Sequence, residues 1–154
     1  MIFATVGSST FPRMMTLISE VHDKVDDELV VQTAGGDLDS DISQVDYLGF
    51  SSFRVNIKES DIVIGHGGVG TLITCLEFNT PLVVIPRKES LGEVIDNHQI
   101  KTVEKFEKNP LVSIANDAET VCNKIREINS SSQPISSRPN ELGEFVNGLV
   151  NEYE

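Results

Sequence analysis

The sequence predicts an α/β fold, a doubly wound, Rossmann-like parallel sheet, and two observations carry this prediction. Short apolar segments recur along the 154 residues without polar alternation, which is typical of strands buried on both faces. Between them, apolar residues recur every three to four positions, which indicates amphipathic helices. Because strand and helix patterns alternate and the length suits one core, we expect one doubly wound domain.

The elements follow in order along the chain. Strands are predicted at 2–6, 29–31, 47–50, 62–64, 82–85 and, more weakly, 111–114. Apolar residues at helical spacing predict a first helix at 11–21 and a second that starts near Thr71. A third predicted helix contains Val103 and Phe106, and a fourth runs from a polar cap near Asn116 to Ile128. We predict a single domain at 1–129, a polar linker at 130–139 and a C-terminal, partner-binding helix at 140–154, whose apolar residues would let the isolated chain form a homodimer.

Composition narrows the class of function. Twenty-four acidic and twelve basic residues give a net charge of -12, which opposes nucleic-acid binding and leaves any anion site dependent on local backbone donors. The sequence has no apolar run of the roughly 18–20 residues that a membrane helix needs, and no signal-peptide pattern. We therefore expect a cytosolic chain. Its two cysteines, Cys75 and Cys122, lie in predicted helices without a metal-binding pattern and are expected to be buried thiols.

The stretch DIVIGHGGVGT, 61–71, places four glycines between a predicted strand and a predicted helix. A helix N-terminus presents unpaired N–H groups and partial positive charge, and glycine lets a phosphate approach them. The stretch also matches the G-x-G-x-x-G of dinucleotide-binding proteins, but three predicted strands precede it, and Glu89, about twenty residues on, lies in a predicted loop. It lacks the lysine of a Walker loop. A tight turn without a ligand is the remaining alternative.

A second stretch, 81–99, contains a buried strand, a loop and then Asp96, Asn97, His98 and Gln99 at a helix start. Both stretches follow strand ends, so the sheet brings them to one edge, where open α/β sheets bind ligands. The side chains of Asp96, Asn97 and Gln99 offer paired donors and acceptors that suit vicinal sugar hydroxyls. The backbone N–H groups of the glycine loop suit a phosphate. Phosphate plus sugar indicates a nucleotide sugar, so we predict that 1–129 is a nucleotide-sugar-binding domain. The alternative is that Asp96 caps the helix and its neighbours face solvent.

The loop at 35–42 carries Asp37, Asp39 and Asp41 at alternate positions, a pattern that could indicate a calcium-binding loop. It lacks the glycine and closing glutamate of an EF-hand loop. A solvated acidic loop is the interpretation that we prefer.

The segments FATVGSS, VVQTAGG, DIVIGHGGVGT, PLVVIPR and GEVIDNHQ occur in one order within 1–128. In this order they resemble the C-terminal domain of glycosyltransferase family 28. More closely, the chain resembles the small subunits of two-component UDP-sugar transferases, which include the dolichol-pathway UDP-GlcNAc transferase and bacterial capsule and exopolysaccharide counterparts. The resemblance implies the donor-binding, C-terminal half of a GT-B fold, with a UDP-sugar as donor substrate and no separate cofactor.

The resemblance also implies roles for individual residues. It places the donor diphosphate against the glycine loop, the donor sugar at the second stretch, and the interdomain cleft beside the first loop. These positions are His66, Gly67, Gly68, Gly70 and Thr71 for the diphosphate, Asn97, His98 and Gln99 for the sugar, and Gly7 and Ser8 for the cleft loop. Many relatives hold the ribose with a glutamate seven residues before the proline that matches Pro81, where this chain has Thr74; Glu77 follows within one turn.

A GT-B enzyme acts between two domains, so the resemblance implies a membrane-associated partner that supplies the acceptor site and general base. The expected reaction is inverting transfer from a UDP-sugar to a polyprenyl-diphosphate-linked sugar, and the chain would be peripheral to the membrane through that partner. The departure at Thr74 keeps a second hypothesis open, a non-catalytic enhancer subunit that retains the fold. An NAD(P)-binding domain is the third.

Overall fold

The computed structural model describes residues 1–131, in which six parallel strands form one sheet. The strands are β1 Ile2–Thr5, β2 Leu29–Gln32, β3 Ser43–Val45, β4 Ile62–Gly65, β5 Leu82–Val84 and β6 Val112–Ile114. The α-helices are α1 Pro12–His22, α2 Phe50–Glu59, α3 Val69–Glu77, α4 His98–Glu104 and α5 Ala118–Ser130. The predicted doubly wound parallel sheet is confirmed.

The predicted strand at 47–50 is wrong. The third strand is Ser43–Val45, and residue 50 instead begins helix α2. β3 lies at the sheet edge and pairs only with β2, so it needs few apolar residues, and Ser43 and Gln44 are exposed. The apolar residues that suggested a strand, Tyr47 and Phe50, are themselves 61% and 76% exposed.

The two faces of the sheet are covered by different helices. Helices α1 and α5 pack on one face, where Met14, Ile18 and Val121 join Ala4 and Ile64 in one buried cluster. Helices α2, α3 and α4 cover the other face, where the buried cluster contains Phe3, Ile57, Val63, Leu72 and Val103. Burial on both faces explains the continuous apolar strands.

Both cysteines are buried, as predicted. Cys75 lies in the cluster under α3, and Cys122 in the cluster under α5. Burial raises the pKa of the Cys75 thiol, so it is a packing group at neutral pH.

The strand order β3-β2-β1-β4-β5-β6 fixes where a ligand can enter. From β1 the chain builds outward through β2 and β3, and then crosses back to β4 on the other side of β1. The connections that leave β1 and β4 therefore diverge, which opens a crevice at the carboxyl ends of these strands. The first loop, from Val6 to Phe11, and the glycine loop both lie at this switch point.

The last predicted segments are only partly described. Helix α5 extends to Ser130, two residues beyond the predicted end. Most of the predicted linker at 130–139, and all of the helix predicted at 140–154, lie outside the described residues. Within residues 1–131, no helix is long and apolar enough to cross a membrane.

Candidate functional site

The imidazole of His66 lies between two glycines that belong to different loops. A methyl group placed at Gly7 would lie 2.6 Å from His66 Cε1, and one placed at Gly68 would lie 2.4 Å from His66 Nε2. Contacts this short are repulsive, so any side chain at either position would push the ring out. The backbone at Gly7 also has φ of 75°, which favours glycine. The ring therefore joins the first loop to the glycine loop.

The surroundings of His66 keep its ring neutral. Burial, and then the nearby positive charge of Arg87, lower its pKa from 6.5 to about 4. A neutral imidazole carries one N–H donor and one acceptor nitrogen. The Thr5 backbone also forms a hydrogen bond with the ring, which opposes the fall in pKa, and Nδ1 is buried without a partner among residues 1–131. At neutral pH the ring can therefore donate to a ligand, without adding a charge, in the tautomer that carries the proton on Nδ1.

Buried polar groups fix the first loop from below. The Gly7 N–H donates to Thr5 Oγ1 at 3.1 Å, and Gln32 Nε2 donates to the Gly7 carbonyl at 3.3 Å. Thr5 Oγ1 in turn donates to Gln32 Oε1 at 3.3 Å. Ser8, the next residue, is exposed. The loop thus holds Gly7 against the histidine and presents Ser8 to solvent.

The glycine loop ends at the N-terminus of α3. Gly68 is the N-cap residue, and no side chain caps this helix, so its first N–H groups are available to an anion. A methyl at Gly67 would meet Val103 Cγ2 at 3.1 Å and Val84 Cγ1 at 3.2 Å, whereas one at Gly70 would meet no atom within 4 Å. Gly67 therefore serves packing against α4 and β5, and Gly70 leaves open space at the helix start.

A cavity of about 470 Å³ lies beside this loop. Its lining comes from the first loop, from α2, and from the glycine loop with α3: Gly7, Phe50, Phe53, Arg54, His66, Gly68, Gly70, Thr71, Ile73, Thr74 and Glu77. The cavity brings together seven of the predicted site residues. A second cavity, of about 530 Å³, lies between α1 and the loop at 35–39, and no residue of the glycine loop lines it.

Thr74 and Glu77, the two predicted ribose-binding residues, both line the cavity but differ in what they offer. The Thr74 hydroxyl donates to the Gly70 carbonyl at 2.7 Å and is thereby directed to its own helix backbone. Glu77 accepts two hydrogen bonds from Arg54, at 2.7 and 2.6 Å, and this ion pair lowers the pKa of Glu77. The charged carboxylate of the cavity is thus at position 77.

The predicted sugar-binding residues lie outside the cavity lining. Asn97 exchanges hydrogen bonds with Glu89, at 3.3 and 3.1 Å, and Asp96 Oδ1 accepts from the His98 N–H at 2.9 Å. Gln99 Oε1 is buried without a hydrogen-bond partner among the described residues. Local contacts therefore hold this segment, which meets the glycine loop through Val103 on the same helix.

Sequence reasoning missed several residues of the site. Phe50, Phe53 and Arg54 belong to α2, which the apolar pattern did not reveal. Arg87 is also missed, although the PLVVIPR segment contains it. It is 7% exposed and donates to the carbonyls of Val6, Ser9 and Thr10. An arginine directly after a buried strand was the available signal.

Comparison with curated proteins finds relatives that share one name, "UDP-N-acetylglucosamine transferase subunit ALG13". The Candida albicans protein is 38% identical over 69 residues, which cover 43% of this chain and 22% of the relative. The Candida glabrata protein is 27% identical over 154 residues, covering 96% of this chain and 72% of the relative. The human protein is 24% identical over 119 residues, 70% of this chain but only 10% of the relative.

Comparison with solved structures supports the fold. The glycosyltransferase of kitacinnamycin is 17% identical with a TM-score of 0.65, and the similarity covers 84% of this chain and 35% of that chain. The calicheamicin glycosyltransferase CalG4 is 12% identical with a TM-score of 0.63, over 85% and 34% of the two chains. The solution structure of ALG13 is 18% identical with a TM-score of 0.59, over 94% and 93%.

The family comparison extends over nearly the whole chain. The model described as "Glycosyltransferase family 28 C-terminal domain" matches residues 1–152. The matched range contains the switch-point crevice, the His66 contacts and the cavity beside α3. The chain therefore belongs to the family of glycosyltransferase family 28 C-terminal domains.

Proposed function

We propose that the chain is the donor-binding subunit of a two-component glycosyltransferase that uses a UDP-sugar. The observation that carries this proposal is the cavity at the start of α3, where His66 joins two glycine-containing loops at the switch point of the sheet. Family membership and the shared name of the curated relatives support the same chemistry. The donor-binding unit is residues 1–129, and the acceptor-binding unit belongs to a partner.

The diphosphate binds at the N-terminus of α3 in this proposal. The backbone N–H groups of the uncapped helix and the His66 ring donate hydrogen bonds to its oxygens, and Gly67, Gly68, Gly70 and Thr71 shape the loop. These donors counter the unfavourable net charge of -12 by acting at short range. They also stabilise the departing UDP, because negative charge develops there during transfer.

The nucleoside extends along α3 toward Glu77 and α2. Thr74 lies where many relatives place the ribose carboxylate, and its hydroxyl bonds to the backbone of its own helix. Glu77, oriented by two hydrogen bonds from Arg54, takes over the contact with the ribose hydroxyls. Arg54 is itself held by stacking over Phe78 at 4.8 Å and Phe50 at 5.6 Å.

The donor sugar is contacted by Asn97, His98 and Gln99 after the donor enters. The unpaired Gln99 Oε1 supports this assignment, because a buried carbonyl without a partner gains a hydrogen bond when a hydroxyl reaches it. Gly7 and Ser8 face the interdomain cleft, where the acceptor arrives.

The partner in this proposal is membrane-associated and carries a polyprenyl-diphosphate-linked sugar, which receives the new sugar with inversion. The curated relatives are named as a transferase subunit, which supports a second subunit for acceptor binding. That unit supplies the general base, and the predicted helix at 140–154 contacts it. The chain then acts at the cytoplasmic membrane surface for glycan or polysaccharide assembly.

One observation favours a second candidate, a non-catalytic enhancer subunit. Position 74 lacks the carboxylate that many relatives use for ribose, and the hydroxyl in its place is bonded to the backbone. In that case the fold would serve to bind and stabilise a catalytic partner.

The first experiment is thermal unfolding of the full chain with millimolar UDP, UDP-GlcNAc, UDP-glucose, UDP-galactose, NAD and NADP. A ligand that binds only the folded state raises the melting temperature, so we expect a rise with the UDP compounds and none with NAD or NADP. A rise with NAD or NADP alone would replace the proposal with a dinucleotide-binding domain.

A glycine pair controls this experiment. Gly68→Ala forces a methyl group to 2.4 Å from the His66 ring, whereas at Gly49 the same change meets no atom within 4 Å. We expect Gly68→Ala to abolish the UDP-dependent rise and Gly49→Ala to keep it. In the reconstituted complex, undiminished transfer by the Gly68 variant would favour the enhancer subunit.

A further inference from the structure

Arg87 follows β5 and is 7% exposed. Its guanidinium donates to the Ser9 carbonyl at 2.6 Å, the Thr10 carbonyl at 2.9 Å and the Val6 carbonyl at 3.2 Å. It also lies over the Phe11 ring, 4.4 Å from the ring centre. Three carbonyls and an aromatic face thus hold this side chain against the first loop.

The hydrogen bonds of Arg87 reach both sides of Gly7, since Val6 precedes that glycine and Ser9 follows it. Gly7 is the residue against which the His66 ring lies, with Gly68 on its other side. A displacement of the first loop would therefore change the position of His66. Through these contacts, a buried arginine outside the cavity lining acts on a residue inside it.

The charge near Arg87 is not balanced locally. Glu93 accepts two hydrogen bonds from Arg13, at 2.7 and 2.9 Å, and a third from the Lys88 N–H at 2.8 Å. Arg13 and Arg87 thus share one nearby carboxylate, so this group of three side chains carries a net positive charge. Carbonyl partners leave the charge of Arg87 intact, and burial weakens its screening by water.

We propose that Arg87 is a positioning residue of the donor site, which holds the first loop against His66 and supplies a fixed positive charge next to the diphosphate-binding loop. The identity of the anion rests on the proposed function, but the contact between Arg87 and His66 through the loop does not. Burial and then Arg87 lower the pKa of His66, while Glu93 is the carboxylate that interacts with Arg87 and with Arg13.

The chemistry of the side chain supports this role. A guanidinium presents five donors in a planar fork and remains charged, so it can bond three carbonyls at once. Lysine keeps the charge but lacks the fork, and methionine keeps the approximate length but lacks the charge. The two substitutions therefore separate position from charge.

The test uses the full chain as Arg87→Lys and Arg87→Met, with Arg13→Met as the matched control. Arg13 belongs to the same charged group and lies over the Phe11 ring at 5.1 Å, but its hydrogen bonds go to the Pro86 carbonyl and Glu93 and not to the carbonyls of the first loop. UDP affinity is measured by calorimetry, and the pKa of His66 by NMR titration of its ring. We expect roughly tenfold weaker binding for Arg87→Lys, a larger loss for Arg87→Met, and less than about twofold change for Arg13→Met.

The pKa of His66 distinguishes an effect of the Arg87 charge from an effect of packing, because only the loss of the charge should raise it. We expect the pKa of His66 to rise above about 4 in Arg87→Met and to stay near it in Arg87→Lys. Wild-type UDP affinity in a folded Arg87→Met variant, an unchanged His66 titration, or an equal loss in Arg13→Met would each overturn the proposal. If Arg87→Met does not fold, Arg87→Lys decides through UDP affinity.

Failure of the proposed function looks different. If the wild-type chain binds no UDP, the ligand assignment is wrong, while the His66 titration in the Arg87 variants still decides whether Arg87 acts on this site.

Discussion

The two halves of the predicted donor site differ in what holds them. The glycine loop is fixed by close contacts with distant parts of the chain, since His66 lies against Gly7 and Gly67 lies against Val84 and Val103. The segment at 96–99 is held by near neighbours, through Asn97 with Glu89 and Asp96 with His98. The difference teaches that the proposed diphosphate half is held by the fold itself, whereas the proposed sugar half depends on local contacts; we expect the second to adjust more easily than the first.

The largest expected effect tests whether His66 links the two loops. Gly7→Ala should lower the free energy of unfolding by roughly 2–5 kcal/mol, because the methyl group strains a positive φ and also meets the ring. Gly35→Ala is the matched control, with φ of 81° and no atom within 4 Å, and should cost only about 1–2 kcal/mol. Urea unfolding measures both, and equal losses would show that the ring contact carries no energy.

The second prediction concerns how the stability of the fold changes at acidic pH through His66. An unfolded histidine has a pKa of about 6.5, whereas His66 in the folded chain has a pKa of about 4. The unfolded state therefore binds more protons between these values, so stability falls as pH drops from about 6.5 to about 4, by on the order of 1–3 kcal/mol from this group. His66→Asn should show a smaller decline in urea unfolding at pH 7 and pH 4.5, and the same decline would mean that the ring is not buried as a neutral group.

A third, smaller effect separates the ligand from the fold within the glycine loop. Gly70→Ala adds a methyl group in open space inside helix α3, which should raise stability by about 0.5–1 kcal/mol. The same methyl group projects where the diphosphate is proposed to approach, so UDP should bind about tenfold more weakly. Calorimetry together with thermal unfolding measures the two changes. Unchanged UDP affinity would place the diphosphate elsewhere.

The smallest expected effect concerns the sugar half. Gln99→Met removes a buried carbonyl that has no partner among the described residues, so stability should change by less than about 1 kcal/mol. UDP affinity should stay within about twofold, while any advantage of a UDP-sugar over UDP should disappear. Calorimetry with UDP and UDP-GlcNAc measures this difference. A loss of UDP binding itself would mean that the two halves are already one rigid site.

Much of the fold could be predicted because buried parallel strands leave a clear pattern. The central strands β1, β4 and β5 are apolar on both faces and lie where the sequence placed them. The edge strand β3 has no such pattern, because it pairs with β2 through backbone hydrogen bonds alone and its side chains at Ser43 and Gln44 are exposed. Helix α2 was missed for a related reason, because Ile57 is its single buried residue.

The site divides in the same way. Glycines at a strand end indicate a close approach of backbone, and here they accommodate a histidine ring as well as open space for a ligand. The Arg54–Glu77 pair could not be read from the sequence, because its partners are 23 positions apart and meet only when α2 packs on α3. Arg87 likewise bonds carbonyls nearly eighty positions away.

The position of His66 has an evolutionary consequence. Because its ring occupies the space that side chains at Gly7 and Gly68 would need, the three positions cannot change one at a time without loss of packing. We expect a relative without catalytic activity to keep all three, so their presence indicates a packing requirement and does not by itself indicate catalysis. Thr74 is bonded to the Gly70 carbonyl and Glu77 to Arg54, so a substitution at either of these cavity positions leaves the contacts of His66 intact. Divergence of activity among relatives should therefore be sought at 74 and 77, and not in the glycine motif.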